Sequence, residues 1–217
     1  MIRLKIASNW FRNSESLWGR ALIATIGGLV LATAFPDFNF GAGAFIGVFL
    51  TLIAINRLKF FKALLVGFIG GFAFYGLILI WLTTYLGPIP WAALTVVEAL
   101  IFASGASVIS LVWRWLNSMS NRPLANFLTA VAIGAIYTGR EYVAGHFPFG
   151  GLPWARLGLS QVDNHLAKWV WGIDIAGLTW LIVSISAFIA IKFLHPLPQG
   201  FGFRSRFTNW SAAAVAL

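Results

Sequence analysis

The chain has 217 residues, of which 59% are hydrophobic and only 10% are charged, and its formal net charge is +9. In a soluble domain of this size about a quarter of the residues are usually charged, so this chain has too few charged residues to cover a water-exposed surface. It also excludes a disordered chain, which requires low hydrophobicity. The basic residues lie in short clusters between apolar stretches, which favours membrane topology over nucleic-acid binding.

The apolar stretches, taken in chain order, predict an all-α membrane protein. Six stretches are predicted to be spans: Leu17–Phe35, Gly41–Asn56, Ala63–Leu86, Trp91–Trp113, Leu124–Thr138 and Trp169–Leu194. A span needs about 20 residues, so the second and the fifth are short. A seventh stretch starts near Phe207 and is cut off at Leu217. We therefore expect residues 1–217 to form one membrane-embedded domain, a polytopic bundle of six spans plus the start of a seventh.

The lysines and arginines are divided unevenly between alternate connections. If the N-terminus is cytoplasmic, twelve of the fifteen lie on the cytoplasmic side, and only Arg140, Arg156 and Lys168 lie outside. This division follows the positive-inside rule. It predicts a multi-pass protein with a cytoplasmic N-terminus, in which a completed seventh span would carry any following residues to the outer face.

Two pairs of glycines lie four residues apart within predicted spans, Gly43 with Gly47 and Gly67 with Gly71. This spacing places both members of a pair on one helix face, where a neighbouring helix can approach closely. A nucleotide-binding loop is disfavoured, because no strand precedes these glycines and no Gly-Lys-Ser/Thr follows them. We expect helix packing at both pairs.

The segment from Tyr137 to Asp174 is too apolar for a free loop and too interrupted for a span. The residues that exclude a continuous helix here are Pro148, Gly150, Gly151 and Pro153. Irregular backbone at membrane depth is tolerated only where protein or a wet cavity supports it. We therefore expect a re-entrant or interfacial segment near residues 142–156, packed on the bundle, as a natural substrate-facing surface.

Several charged residues interrupt the apolar pattern. Arg140 and Glu141 are adjacent at the outer end of the fifth stretch. They either bind a lipid head group or anchor a loop, or they simply orient the following segment. The last interpretation is favoured, because adjacent charges are easily accommodated at a span end. Glu98 lies inside the fourth stretch, where it is either functional, or protonated or paired with a neighbouring helix. Asp174 lies near the interface and is interpreted as structural.

No metal or other cofactor is predicted. His146 and His165 are 19 residues apart, whereas metal ligands usually lie closer together or as a pair on one helix. Ser160 lies near His165, but it lacks the flanking glycines of a nucleophile elbow.

The same segment resembles a known family. In order and spacing it is similar to the apolipoprotein N-acyltransferases, whose pattern is matched by Tyr137 and Glu141, then Leu152-Pro153-Trp154, then Gly158-Leu159-Ser160-Gln161, then Gly172. Two positions depart from the pattern, because Tyr137 replaces the more usual Trp and Leu152 the usual Phe. Looser matches are Ala34-Phe35-Pro36 and the span from Gly67 to Trp81. The resemblance covers about Leu22 to Leu194.

Members of that family transfer an acyl chain from a phospholipid to the free amino group of the diacylglyceryl-cysteine at a lipoprotein N-terminus. The resemblance therefore implies phospholipid and lipoprotein substrates and a location in the bacterial cytoplasmic (inner) membrane. The residues that it suggests as substrate- or lipid-facing candidates are Glu141, Arg140, Pro153, Trp154, Ser160 and Gln161.

The family's chemistry uses a nitrilase-like domain with a Glu-Lys-Cys triad, in which the cysteine forms a thioester. This chain contains no cysteine and no alternating strand–helix pattern. We therefore expect no catalytic residues and no nitrilase-like domain here, truncation in the seventh span, and no activity of the chain alone.

Two further interpretations stay open. A small transporter would use Glu98 and the broken segment to line a path, although the two halves show no internal repeat. A non-catalytic membrane subunit would assemble with a separately encoded catalytic chain.

Overall fold

The computed structural model describes residues 16–119, 123–148 and 150–194, and in this part of the chain it contains helices and turns but no strand. The α-helices described are α1 (Leu17–Ala32), α2 (Ala42–Ile55), α3 (Phe60–Ile78), α4 (Leu82–Leu86), α5 (Pro88–Met119), α6 (Pro123–Ala144) and α7 (Val170–Leu194). Between α6 and α7 lie three 3₁₀ helices, Pro153–Ala155, Leu157–Gln161 and His165–Trp169. The all-α prediction is confirmed, and the predicted seventh stretch lies outside the described residues.

Each of the six predicted apolar stretches overlaps an α-helix of at least 14 residues. Among the residues that the structure describes, three regions are long and apolar enough to cross a membrane, namely 60–78, 88–116 and 165–194. Helices α1 and α2 are also apolar but have only 16 and 14 residues. Helix α6 carries the charged pair Arg140 and Glu141 in its last turns. The chain is therefore a membrane protein in which three helices have the length and composition of spans.

The third stretch was predicted to be one span over Ala63–Leu86, but it is not one continuous helix. Helix α3 ends at Ile78, and a turn leads into the short helix α4. The indole of Trp91 donates to the carbonyl of Gly76 over 3.1 Å, and the N–H of Ile80 pairs with Leu77 instead of with Gly76. A partner from α5 thus takes the carbonyl that a continuing α-helix would offer to residue 80.

The sixth stretch also has an interruption that its composition does not indicate. Asp174 has φ 61° and ψ 172°, values that no α-helix contains. The regular part of α7 therefore runs from Ile175 onward, and a kink at Asp174 separates it from the preceding turn.

The helices pack into a closed ring. Helix α1 contacts α2 and α3, α3 contacts α5, α5 contacts α6, α6 contacts α7, and α7 returns to α2. The buried core follows the inner faces of this ring and includes Leu31, Leu52, Phe74, Ile133 and Ile182. Because the ring closes, α6 and α7 are held beside helices that are distant in sequence.

The two predicted glycine pairs lie at close helix contacts. A Cβ added at Gly47 would lie 2.6 Å from the backbone nitrogen of Leu31, so α2 touches the backbone of α1 there. A Cβ at Gly67 would lie 2.7 Å from the Cβ of Ala106 on α5. The helix-packing prediction is confirmed, because no larger residue fits at either contact without displacing a helix.

We expect Gly47→Ala to destabilise the chain by about 1–3 kcal/mol, because the added methyl group must push α2 away from α1. The matched control is Gly139→Ala on α6, where an added Cβ meets nothing within 4 Å. The control should be neutral or stabilising by up to about 1 kcal/mol, since alanine restricts the unfolded chain. Denaturant titration of both variants in detergent micelles measures the difference, and equal stabilities would contradict this account of the contact.

Candidate functional site

Glu141 of α6 links the irregular segment between α6 and α7 to both of these helices. Its Oε1 accepts from the backbone N–H of Leu157 over 2.8 Å, and its Oε2 accepts from the hydroxyl of Thr179 on α7 over 2.9 Å. The hydroxyl oxygen of Thr179 in turn accepts from the N–H of Gly158 over 2.9 Å. The Glu141 side chain is 5% exposed, so these bonds form away from water. One carboxylate therefore joins α6, α7 and the start of the second 3₁₀ helix.

Arg140 occupies the neighbouring position and faces the inside of the ring. Its Nη1 donates to the hydroxyl of Tyr75 on α3 over 2.9 Å, and its Nη2 lies 3.6 Å from Oε1 of Glu141. The guanidinium carbon lies 4.3 Å from the ring centre of Tyr137 and 4.8 Å from that of Phe102. The cation is thus desolvated against aromatic faces and compensates the Glu141 carboxylate beside it.

Glu98 of α5 belongs to the same polar cluster. It is 1% exposed, and neither carboxylate oxygen has a hydrogen-bond partner among the described residues. Arg140 and Tyr75 lie close enough to Glu98 to interact with its charge. Its charged and polar neighbours therefore come from other helices, and the cluster joins α3, α5 and α6.

Ser160 and Gln161 hold the second 3₁₀ helix against the start of α2. The hydroxyl of Ser160 donates to the carbonyl of Leu157 over 2.7 Å. The amide nitrogen of Gln161 donates to the Ser160 hydroxyl over 2.8 Å and to the carbonyl of Gly41 over 3.1 Å. Both residues are buried. Their described contacts are with the protein itself, and they connect this segment to a turn about 120 residues earlier in the chain.

Pro153 and Trp154 lie on the outside of the segment. Both are exposed, and the Trp154 ring packs at 5.8 Å from the ring of Trp81, which follows α3. Beside this ring pair lies a cavity of about 430 Å³ between the ends of α1 and α3 and the first 3₁₀ helix. Of the six residues suggested by the sequence, these two are therefore the ones available to a molecule outside the fold.

Residues 27–188 match the Apolipoprotein N-acyltransferase N-terminal domain family. The chain belongs to this family. It is similar to the Apolipoprotein N-acyltransferase of Geobacter metallireducens, with 29% identity over 143 residues, and to that of Haemophilus ducreyi, with 22% identity over 165 residues. These matches cover 64% and 75% of this chain. The chain spans less than a third of either relative, since the matches cover 27% and 31% of their lengths.

The family resemblance and the buried network involve the same residues. The tetrad Gly158–Gln161 is the segment that Glu141 and Thr179 bind, and Glu141 is the carboxylate that the motif spacing points to. The residues on which the sequence resemblance was based are separate in the chain and lie in contact here.

Sequence reasoning missed three partners in this site. Thr179 lies in an apolar stretch and Tyr75 in a glycine- and aromatic-rich one, where neither stands out. Gly41 contributes only a backbone carbonyl. Each of them acts through tertiary contact, so no local pattern marks them.

We expect Thr179→Val to destabilise the chain by about 1–3 kcal/mol, because the valine leaves the buried N–H of Gly158 without an acceptor. The control is Thr138→Val, whose hydroxyl bonds only to the Gly134 carbonyl within α6. Hydrogen exchange should show faster opening of residues 150–169 in Thr179→Val than in the control. Protection that stayed unchanged in both variants would show that the Thr179 bond does not hold the segment.

Proposed function

We propose that this chain forms the membrane portion of an apolipoprotein N-acyltransferase, the enzyme whose family moves an acyl chain from phospholipid to the N-terminal diacylglyceryl-cysteine of lipoproteins. The observation that carries this proposal is the buried Glu141 network, which fixes the family's tetrad at one end of the helix ring. The chain has no cysteine to form a thioester. It therefore supplies the membrane framework of the reaction and does not catalyse it alone.

The six candidate residues divide into two roles under this proposal. Arg140, Glu141, Ser160 and Gln161 are buried and position the segment between α6 and α7. Pro153 and Trp154 are exposed and face lipid or substrate. A segment that is fixed on packed helices positions a reacting group more precisely than a free loop would.

We further propose six spans in the bacterial inner membrane, with a cytoplasmic N-terminus. At one end of the ring, Gln161 bonds to Gly41 and Trp154 packs on Trp81. This brings together the connections that follow α1, α3 and α6. The charge pattern assigns these three connections to the outer side, so their proximity in space supports that assignment.

The connection between α2 and α3 lies at the opposite end of the ring, where side chains of α1 and α5 bond to it. The Arg20 guanidinium donates to the carbonyls of Ala54 and Asn56 over 3.1 and 2.8 Å. The hydroxyl of Ser110 on α5 lies within hydrogen-bond distance of the carbonyls of Ile55 and Leu58, at 2.9 and 2.8 Å, and its one proton is shared between them. The charge pattern assigns this basic end to the cytoplasm.

Single cysteines test this topology without background labelling, because these 217 residues contain no cysteine. We expect a membrane-impermeant maleimide to label Phe38→Cys and Asp163→Cys in cells whose inner membrane is intact, and to leave Lys59→Cys unlabelled. All three positions are exposed in the structure. Permeabilised cells should show labelling at all three, and labelling of Lys59→Cys in intact cells would contradict the proposed orientation.

A chimera tests the function itself. We expect an apolipoprotein N-acyltransferase from Geobacter metallireducens to keep measurable acyl transfer when residues 16–194 of this chain replace its matching segment. The measurement is transfer from phospholipid to a diacylglyceryl peptide in proteoliposomes, and the chain alone should give none. Thr179→Val should lower the rate of the chimera by about tenfold or more, because small displacements of a positioned group are costly.

Thr138→Val serves again as the control and should leave that rate unchanged. A chimera that is folded but inactive would contradict the proposal and favour a non-catalytic partner or transporter. Acyl transfer by the chain alone would contradict its assignment as a membrane framework without catalytic residues.

A further inference from the structure

One end of the helix ring, opposite the Glu141 network, carries an exposed basic patch. The patch consists of Arg57 and Lys59 in the connection between α2 and α3, Lys62 in the first turn of α3, and Arg114 near the end of α5. All four side chains are exposed. A cluster of this size at the ends of membrane-spanning helices is typical of a surface that contacts anionic head groups.

The folded structure brings Arg114 to the other three cations, which lie far from it in the sequence. The hydroxyl of Ser107 on α5 lies 3.3 Å from the carbonyl oxygen of Phe60, and that of Ser110 lies 2.8 Å from the carbonyl oxygen of Leu58. Helix α5 therefore packs along the connection between α2 and α3. Arg114 follows Ser110 by four residues and shares its helix face, so it lies beside the same connection.

No described carboxylate lies at this end of the ring to compensate the basic patch. Glu98 lies inside α5, and the other acidic residues of the described ranges lie towards the opposite end, namely Asp37, Glu141, Asp163 and Asp174. Like charges that are gathered without counter-charges repel one another and attract anions. The basic patch is therefore suited to a negatively charged ligand from outside the fold.

Arg57 has a backbone conformation that does not suit an arginine. Its φ is 56°, in the left-handed region that favours glycine. A glycine would form this turn with less strain, so the turn by itself does not explain an arginine here. Strained residues that persist are often functional. Because the Arg57 side chain is exposed, its partner lies outside the described fold.

Exposed aromatic rings flank the cations of the basic patch. Phe61, next to Lys62, is 78% exposed, and Trp115, next to Arg114, is 65% exposed. Aromatic and basic residues together at helix ends are typical of the head-group level of a membrane. This setting favours a phosphate that belongs to a lipid over a soluble anion.

We propose that the basic patch binds the phosphate of an anionic phospholipid of the phosphatidylglycerol type, in the leaflet at this end of the ring. The guanidinium groups of Arg57 and Arg114 donate to the phosphate oxygens, and Lys59 and Lys62 add positive charge. The lipid neutralises the basic patch and holds the ends of α2, α3 and α5 together. It is a structural ligand and not an acyl donor, so the inference goes beyond the proposed function and does not depend on it.

Lipid titration tests this site directly. The full chain, purified in micelles of an uncharged detergent, is titrated calorimetrically with dihexanoyl phosphatidylglycerol, dihexanoyl phosphatidylcholine and inorganic phosphate. We expect saturable binding of phosphatidylglycerol, about tenfold or more tighter than that of phosphatidylcholine. High salt should weaken it, because exposed charges are screened. Inorganic phosphate should bind about tenfold or more weakly than the lipid, since it lacks the apolar chains that contact Phe61 and Trp115.

Two variants and one control locate the binding. Arg57→Gly and Arg114→Gln should each weaken phosphatidylglycerol binding by about fivefold, the effect of one basic residue near an anionic lipid surface. Glycine suits the left-handed backbone at position 57, so thermal unfolding of Arg57→Gly without lipid should occur at an unchanged or higher temperature. Lys168→Gln removes the same charge from an exposed position at the opposite end of the ring, and binding should be unchanged.

Several results would overturn the proposal. These are binding of phosphatidylcholine as tight as that of phosphatidylglycerol, equal effects of Lys168→Gln and Arg57→Gly, or full binding by both Arg57→Gly and Arg114→Gln. Inorganic phosphate that binds as tightly as the lipid would assign the basic patch to a soluble anion and would also refute the lipid site. None of these measurements uses acyl transfer, so a failure here leaves the proposed function standing, and an inactive chimera leaves this site standing.

Discussion

The Glu141 carboxylate satisfies two donors from distant parts of the chain, the N–H of Leu157 and the hydroxyl of Thr179. The segment between α6 and α7 contains three short 3₁₀ helices instead of a long α-helix, and the N–H groups of Leu157 and Gly158 bond to side chains of α6 and α7. Buried donors without acceptors are costly, and more so in a membrane. A single side chain that meets such a donor and also reaches α7 therefore makes the irregular segment compatible with its position.

The buried charge of the Glu141 carboxylate is compensated by the residues around it. Arg140 lies beside it, bonded to Tyr75 and covered by the rings of Tyr137 and Phe102. These contacts need α3, α5 and α6 side by side, which the closed ring provides. The ring depends on close approaches at Gly47 and Gly67. The position of the segment thus depends on the buried ion pair, and the ion pair depends on the close helix packing at the glycines.

The organisation of the site follows from this dependence. Residues that carry the family's pattern are mostly inside, where they hold the segment, and only Pro153 and Trp154 of the six candidates reach the surface. The exposed side of the segment closes a cavity with the ends of α1 and α3. Buried polar contacts thus hold in place the segment whose exposed side lines this cavity.

The amino-acid sequence by itself determined the all-α membrane class, the places of the long helices, the glycine contacts and the irregular segment after α6, because hydropathy, glycine spacing and prolines act locally. It also pointed to Glu141 through motif spacing. Only the tertiary structure decided the partners of Glu141, since Thr179 and Leu157 look ordinary in their own stretches. It likewise decided the end of α3, where the indole of Trp91 takes the carbonyl of Gly76. Hydrogen bonds between distant residues depend on how helices meet, and no local pattern encodes that geometry.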